Sequence, residues 1–325
     1  MAKKQTENPY QTSFDFGDWL ASPTPSPTTL KEVARSPRYA LAQRLQERLA
    51  DGEPLTQRQL SAEATAVFGA TQAEGKWLAK DAYDALEVAV NLHLRQSESE
   101  AWTGLSREQA ARKARDLAGL VQRLPTQTRR DEEMDEFQQF STPPALAFVA
   151  NWTANVRAED VMLEPSAGTG DLAIWSELAG AKLILNELSE RRRALLVDLF
   201  PDATVTGENA EQLHNILPRA SVPTVVVMNP PFSATAGRVQ GQRKTANGAR
   251  HLDQALERLA DNGRLVAIVG DGMGPDRPAF RAWWEKTQSA YNVRANIGIS
   301  GREYAKYGTS FDNRLLVIDK DGPTR

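Results

Sequence analysis

Residues 222–232 read VPTVVVMNPPF. The run from Val222 to Met228 is short, β-branched and bounded by proline, which predicts a buried strand. Asn229, Pro230, Pro231 and Phe232 stand at its carboxyl end. In an open parallel α/β sheet, ligands bind outside the carboxyl ends of the strands, so chemistry is expected at this tetrapeptide. The two prolines fix the backbone and remove two N–H donors, leaving carbonyl oxygens and the Asn229 side chain as acceptors. Phe232 adds a flat apolar face. The set suits an exocyclic amine on a flat ring, whose two hydrogens need acceptors and whose ring needs a stacking partner. The competing reading is a proline-rich turn after a core strand.

Outward from this stretch, apolar runs alternate with helical patterns. Strands are predicted at Asp160 to Leu163, Lys182 to Asn186, Ala203 to Thr206, Val222 to Met228, Arg264 to Val269, Asn292 to Ile297 and Asn313 to Asp319. Seven strands with helices between the early ones make a doubly wound α/β sheet. The last two are joined by SGREYAKYGTS (residues 300–310) without a helix, which predicts an antiparallel final strand.

Upstream the texture is helical, and the chain divides into a tail at 1–29, a separate α-helical domain at 30–130 and a sheet domain at 131–325. Ser36-Pro37 caps a first helix with Leu41, Leu45 and Leu49 on one face and Gly52 at its end. Thr56 with Gln59, and Ser106 with Gln109, are capping boxes for two more, the second burying Ala110, Ala114, Leu117 and Val121. Between them a helix from about Glu74 to Arg95 carries Leu78, Ala82, Leu86 and Ala89 on one face. Two capped helices around a turn are compatible with a helix-turn-helix, but a packed bundle explains the same pattern. In the tail, SPTPSPTT (residues 22–29) reads as an extended linker, while Tyr10, Phe14, Phe16 and Trp19 favour docking on its own domain.

Composition narrows the classes. Hydrophobic residues make up 41% and charged residues 25%, ordinary for a water-soluble globular chain. With a net charge of −3 there is no global basic field, so any nucleic-acid contact must be a local patch. Zero cysteines exclude disulfides, thiolate nucleophiles and Cys-ligated zinc. His93, His214 and His251 are far apart without ligand spacing, so no metal is expected. No apolar leader and no run of membrane-span length occur in the sequence, which makes the cytoplasm the default compartment.

Three strand ends supply further site candidates. The first continues as Leu163-Glu164-Pro165-Ser166-Ala167-Gly168-Thr169-Gly170 into a helix, where glycines at 168 and 170 permit a tight turn and close approach of a ligand. Glu187 follows the second strand, placed to accept both hydroxyls of a ribose. Glu208 and Asn209 follow the third, where an amide or carboxylate can read an adenine edge. Helix capping is the competing role for Glu187 and Asn209.

LEPSAGTGD, NEL, ENA and NPPF in this order resemble motifs I to IV of class I methyltransferases that use S-adenosylmethionine. Phe140-Ser141-Thr142-Pro143-Pro144 ahead of the first strand resembles motif X, which marks the γ arrangement of DNA adenine-N6 methyltransferases. Residues 54–95 further resemble the helical segment before the methylase of phage and plasmid methylase-helicase proteins of the strawberry-notch type; no GxxxxGK[ST] occurs, so the helicase half is expected to be absent. The resemblance implies a Rossmann-like seven-stranded methyltransferase sheet with an antiparallel last strand. It implies that Thr142, Pro165, Ala167, Gly168 and Gly170 hold the methionine end of S-adenosylmethionine, with Glu164 near its amino group, Glu187 on the ribose, Asn209 or its rival Glu208 on the adenine, and Asn229 facing both cofactor and target. Asn229 and the Pro230 carbonyl, fixed by Pro231, would accept the hydrogens of the target amine. Phe232 would stack on the base, with Tyr304, or Tyr307 as second choice, on its other face.

The expected partner is DNA, with a helicase or another subunit supplied in trans and no membrane. The stretch Ser233 to Arg250 carries Arg238, Arg243, Lys244 and Arg250 without an acidic residue and reads as a basic flap over phosphates; a solvated loop is the competing reading. Only the last strands of the sheet follow the site, where γ enzymes commonly carry a recognition domain, so relaxed sequence preference and a mobile-element role against restriction are expected. An RNA base amine or a glutamine amide presents the same planar group, and a non-catalytic binding subunit on the same fold is the remaining alternative.

Overall fold

The computed structural model describes residues 35–98, 102–127, 141–231 and 247–325. The tail aromatics, Phe140, Phe232, Arg238, Arg243 and Lys244 therefore lie outside the described residues. Residues 35–325 form one compact unit.

Capping chemistry sets the helices of the first part. Ser36 accepts from the Tyr39 amide at the head of α1 (Pro37–Ala50). Capping boxes open α2 (Gln57–Phe68) at Thr56 and α4 (Arg107–Gln122) at Ser106, as the spacing predicted. Helix α3 differs from expectation: it runs Ala79–Ser97 rather than from Glu74. Glu74 instead closes a single 3-10 turn by accepting from the Thr71 amide. Asp81 accepts from the Leu78 amide at 2.7 Å, so an acid-capped start outcompetes the earlier one. Leu78, expected on the buried face, is left ahead of the helix and 53% exposed.

The seven strands are β1 (Val161–Glu164), β2 (Lys182–Asn186), β3 (Thr204–Thr206), β4 (Val225–Met228), β5 (Arg264–Gly270), β6 (Asn292–Ile299) and β7 (Asn313–Asp319). They form one sheet of order β3-β2-β1-β4-β5-β7-β6. The first five are parallel, and β7 runs antiparallel to both β5 and β6, as expected from the sequence. Intervening helices are α5 (Pro144–Ala154), α6 (Ala173–Leu178), α7 (Glu190–Leu199), α8 (Leu213–Ile216), α9 (Asn247–Arg258) and α10 (Arg281–Ala290). Among the described residues no helix is long and apolar enough to cross a membrane.

Both faces of the sheet's central strands are covered, which explains the nearly continuous apolar runs of β4 and β5, while the edge strands β3 and β6 stay partly exposed. Val225, Val227, Val266 and Ile268 face one core, while Val226, Met228, Leu265 and Ala267 face the other, with Leu252 and Leu256 of α9. The first core does not stop at the sheet domain: Leu41 and Leu45 of α1, Ala85, Val88 and Ala89 of α3, and Leu117 of α4 belong to it. Trp102 joins the layers. Its ring meets Phe148 of α5 and Trp175 of α6 edge to face, each at 5.9 Å, and its indole N–H donates to the Trp175 carbonyl at 3.1 Å. Trp102→Ala is expected to cost about 3–5 kcal/mol. Urea unfolding followed by circular dichroism should show one transition moved to lower denaturant; two separate transitions would contradict a shared core.

Candidate functional site

Strand order reverses between β1 and β4, which are neighbours in the sheet with Leu163 opposite Val226. Such a reversal opens a crevice at the carboxyl ends, and both Glu164 and Asn229 stand at its rim.

The loop after β1 is built for close approach. Gly168 and Gly170 have φ of 55° and 91°, a region costly for other residues. The Gly170 amide donates to the Ala167 carbonyl, and the Ala167 amide to that of Asn186, both at 2.8 Å. A Cβ at position 170 would run into the Phe200 ring of the α7 end. Glu187, 4% exposed, accepts from the Gly168 amide at 2.8 Å and from the Ser189 amide at 2.7 Å, one bond to each carboxylate oxygen. The Ser189 bond is local capping, and the Gly168 bond ties the end of β2 to the glycine loop after β1.

Asn186 is the residue that sequence reading missed at this corner. It is 1% exposed, and its amide nitrogen donates to the carbonyls of Pro165 and Glu208, both at 2.9 Å. Its oxygen accepts from Thr206 Oγ1 and the Glu208 amide, both at 2.8 Å. One side chain thus staples the exits of β1, β2 and β3. The signal was an amide directly before Glu187 in an apolar strand. Glu208 and Asn209 are exposed on this staple, and Asn209 Oδ1 accepts from the Glu211 amide at 3.0 Å as a cap.

At the other rim, the Asn229 amide donates to Thr142 Oγ1 at 3.0 Å and lies against the buried Tyr304 hydroxyl. The Thr142 amide donates in turn to the Asp171 carboxyl. Thr142 therefore bridges the glycine loop and the loop after β4. Tyr304 is fully buried, with its hydroxyl against Asn229. Burial, and next the charge of Asp171, raise its pKa. Tyr307 is 7% exposed. Arg250 is exposed and pairs with Glu211 at 3.4 Å.

Helix α3 enters the site with a polar stripe. Asp84 pairs with Arg191 and Arg192 of α7. Glu87 accepts from Thr169 Oγ1 at 2.8 Å, and Asn91 donates to the Thr169 carbonyl at 3.2 Å and to Asp171 at 3.3 Å. Arg95 binds Glu177 of α6 through two nitrogens at 2.8 Å. These residues recur at 84, 87, 91 and 95, the period of one helix face. That stripe within otherwise apolar turns was the available signal.

The crevice is crowded with acids. Burial, then the charges of Asp171 and Glu187, push Glu164 well above the usual carboxylate range, and its Oε2 has no hydrogen-bond partner. Asp171 is pushed up to about 8, first by desolvation and then by Glu87, against the donors Asn91 and Thr142. Glu187 is raised by burial, with Arg192 opposing. S-adenosylmethionine fits these residues. A buried carboxyl with an unpartnered oxygen suits an ammonium group. Glu187 keeps acceptor capacity on both oxygens for paired hydroxyls. The positive-φ glycines leave room that a side chain would fill.

No family model matches the chain, and no curated protein matches it in sequence. Solved structures similar to it include a candidate RNA methyltransferase from Pyrococcus horikoshii (17% identity, 66% of this chain and 98% of that one, TM-score 0.47). A candidate class I S-adenosylmethionine-dependent methyltransferase from Listeria monocytogenes is also similar (14% identity, 88% and 87%, TM-score 0.47). So is a modification subunit of a candidate type I restriction enzyme from Vibrio vulnificus (15% identity, TM-score 0.46); 74% of this chain spans 58% of that one.

Two outcomes follow from the geometry. Gly170→Ala combines overpacking against Phe200 with an unfavourable φ and is expected to lose about 2–4 kcal/mol of stability in urea titration. Asp171 holds a proton in the folded state that the unfolded chain releases above its ordinary value of 3.8, so this group lowers stability as pH rises from there to about 8, and no further above it. Asp171→Asn removes that slope, and the Tm of the variant relative to the wild type should climb between pH 5 and pH 8. A constant difference over that range would make Asp171 an ordinary carboxylate.

Proposed function

We propose that this chain transfers the methyl group of S-adenosylmethionine to the N6 amine of an adenine turned out of DNA. The observation that carries the reading is the bracing of Asn229 at the strand-order reversal by Thr142 and Tyr304, directly ahead of Pro230 and Pro231. An amide held on two sides keeps one rotamer, and fixed acceptors at a reacting centre are what positioning catalysis requires.

On this reading Glu164 meets the amino group of the cofactor, the backbone from Pro165 through Ala167, Gly168 and Gly170 lines its methionine end with Thr142, and Glu187 takes the ribose. Asn209 or Glu208 borders the adenine ring. When bound, S-adenosylmethionine supplies a methyl carbon made electrophilic by its sulfonium. The lone pair of an aromatic amine is delocalised into its ring. Asn229 Oδ1 accepts one amine hydrogen and the Pro230 carbonyl the other, which draws the nitrogen toward tetrahedral geometry and frees that pair. As the nitrogen takes the methyl carbon, the carbon–sulfur bond would break to leave a neutral thioether, and the amine proton, made acidic by the new bond, would pass to water, so no strong base is needed.

Phe232 follows Pro231 directly and is assigned to stacking on the extruded base, worth about 1–3 kcal/mol against the cost of unstacking. Arg238, Arg243, Lys244 and Arg250 are assigned to phosphates, which makes binding weaken with salt. A helicase or another subunit acting in trans belongs to the same proposal, as does relaxed sequence preference. The same pair of acceptors would serve an RNA base amine or a glutamine amide.

The test is transfer of labelled methyl from S-adenosylmethionine to unmethylated duplex DNA, with nucleoside digestion of the product. N6-methyladenine is expected, reduced about 100-fold or more in Asn229→Ala. In Tyr304→Phe, turnover should fall by about tenfold with cofactor affinity unchanged, since one polar contact of the brace is lost. Label in RNA or protein but not in DNA would move the assignment to those substrates. Cofactor binding without transfer to any of them would identify a non-catalytic subunit.

A further inference from the structure

We propose that helix α3, outside every motif of the transfer reaction, is a working part of the cofactor site, with Glu87 and Asn91 as positioning residues that hold Thr169 at the centre of the glycine loop. The inference rests on the reading of residues 165–170 as the cofactor loop.

Thr169 is 1% exposed, and α3 grips it twice: the hydroxyl donates to Glu87 Oε2 at 2.8 Å, and the carbonyl accepts from Asn91 at 3.2 Å. Both gripping side chains are themselves buried, at 6% and 1% exposure. Neither is left to wander. Glu87 Oε1 accepts from Gln127 Nε2 at 2.9 Å, and Asn91 also reaches Asp171 at 3.3 Å.

These bonds continue into the catalytic loop. The Gln127 amide donates to the Lys306 carbonyl at 2.9 Å, in the turn 301–307 that carries Tyr304. Tyr304 lies with its hydroxyl against Asn229, Asn229 is bonded to Thr142, and Thr142 to Asp171, which returns to Asn91. A closed ring of polar contacts thus runs from the glycine loop through the helical region to the asparagine and back. Ordinary packing of a helix on a sheet needs no buried Glu and Asn. Burying them is costly unless each is bonded, and here the bonds converge on one residue of the ligand loop. A loop held in its ligand-ready shape binds more tightly, because ordering it at the moment of binding would consume part of the affinity.

The measurement is calorimetric titration of S-adenosylmethionine into the full chain, at a temperature where each variant is folded by circular dichroism. Thr169→Val and Asn91→Ala should each weaken binding by about tenfold, the equivalent of one lost hydrogen bond, whereas Thr169→Ser, which keeps the hydroxyl, should stay within about twofold of wild type. Glu87→Ala should weaken binding less in the Thr169→Val background than in the wild type, since the Thr169 contact is already absent there and only the Gln127 bond remains to be lost. If Thr169→Val does not fold, Asn91→Ala and Thr169→Ser still decide. Wild-type affinity in folded Asn91→Ala, or equal weakening in the Ser and Val variants, would overturn the positioning role while leaving the cofactor assignment intact. Failure of the wild type to bind S-adenosylmethionine would overturn the assignment and this inference with it.

Discussion

Thr142 carries two hydrogen bonds on which the site depends, its amide to Asp171 behind the glycine loop and its hydroxyl from the Asn229 amide at the head of the loop after β4. The sheet brings the ends of β1 and β4 side by side, but strands alone do not set how the loops beyond them face each other. A residue 4% exposed, with both its polar groups committed, does. Because Asn229 is also tied to Tyr304, the acceptor amide is fixed from the sheet side and from the late turn at once.

Such fixation has a thermodynamic cost. Glu164, Asp171 and Glu187 all sit above the usual carboxylate range, chiefly through loss of water. Evolution toward stability alone would replace buried acids by apolar side chains, which is often neutral or favourable. Their retention around one crevice is the pattern of a ligand site, where groups left short of partners are completed by what binds. The Asp84 pairs with Arg191 and Arg192 offset part of this crowding and bring positive charge beneath Glu187.

The helical region belongs to this electrostatic arrangement as much as to the core. Its apolar face merges with the sheet's packing through Trp102, Phe148 and Trp175, while its polar stripe reaches the loop after β1. A helix that supplies both can be altered neither in sequence nor in position without consequence for the crevice.

The sequence by itself determined the elements and their order. Capping boxes at Thr56 and Ser106, the strand runs of β2 and β7 with their observed bounds, and the antiparallel last strand were legible, because caps, strand periodicity and turn length are local properties. The glycines at 168 and 170 and the Asn229-Pro230-Pro231 exit were legible for the same reason. Tertiary structure decided the rest. The burial of Tyr304 against Asn229, the staple at Asn186 and the grip of Glu87 and Asn91 on Thr169 depend on partners between 20 and 82 positions away. A side chain's spacing within its own helix or strand states which face it shares; which distant donor meets that face is settled only when the layers pack.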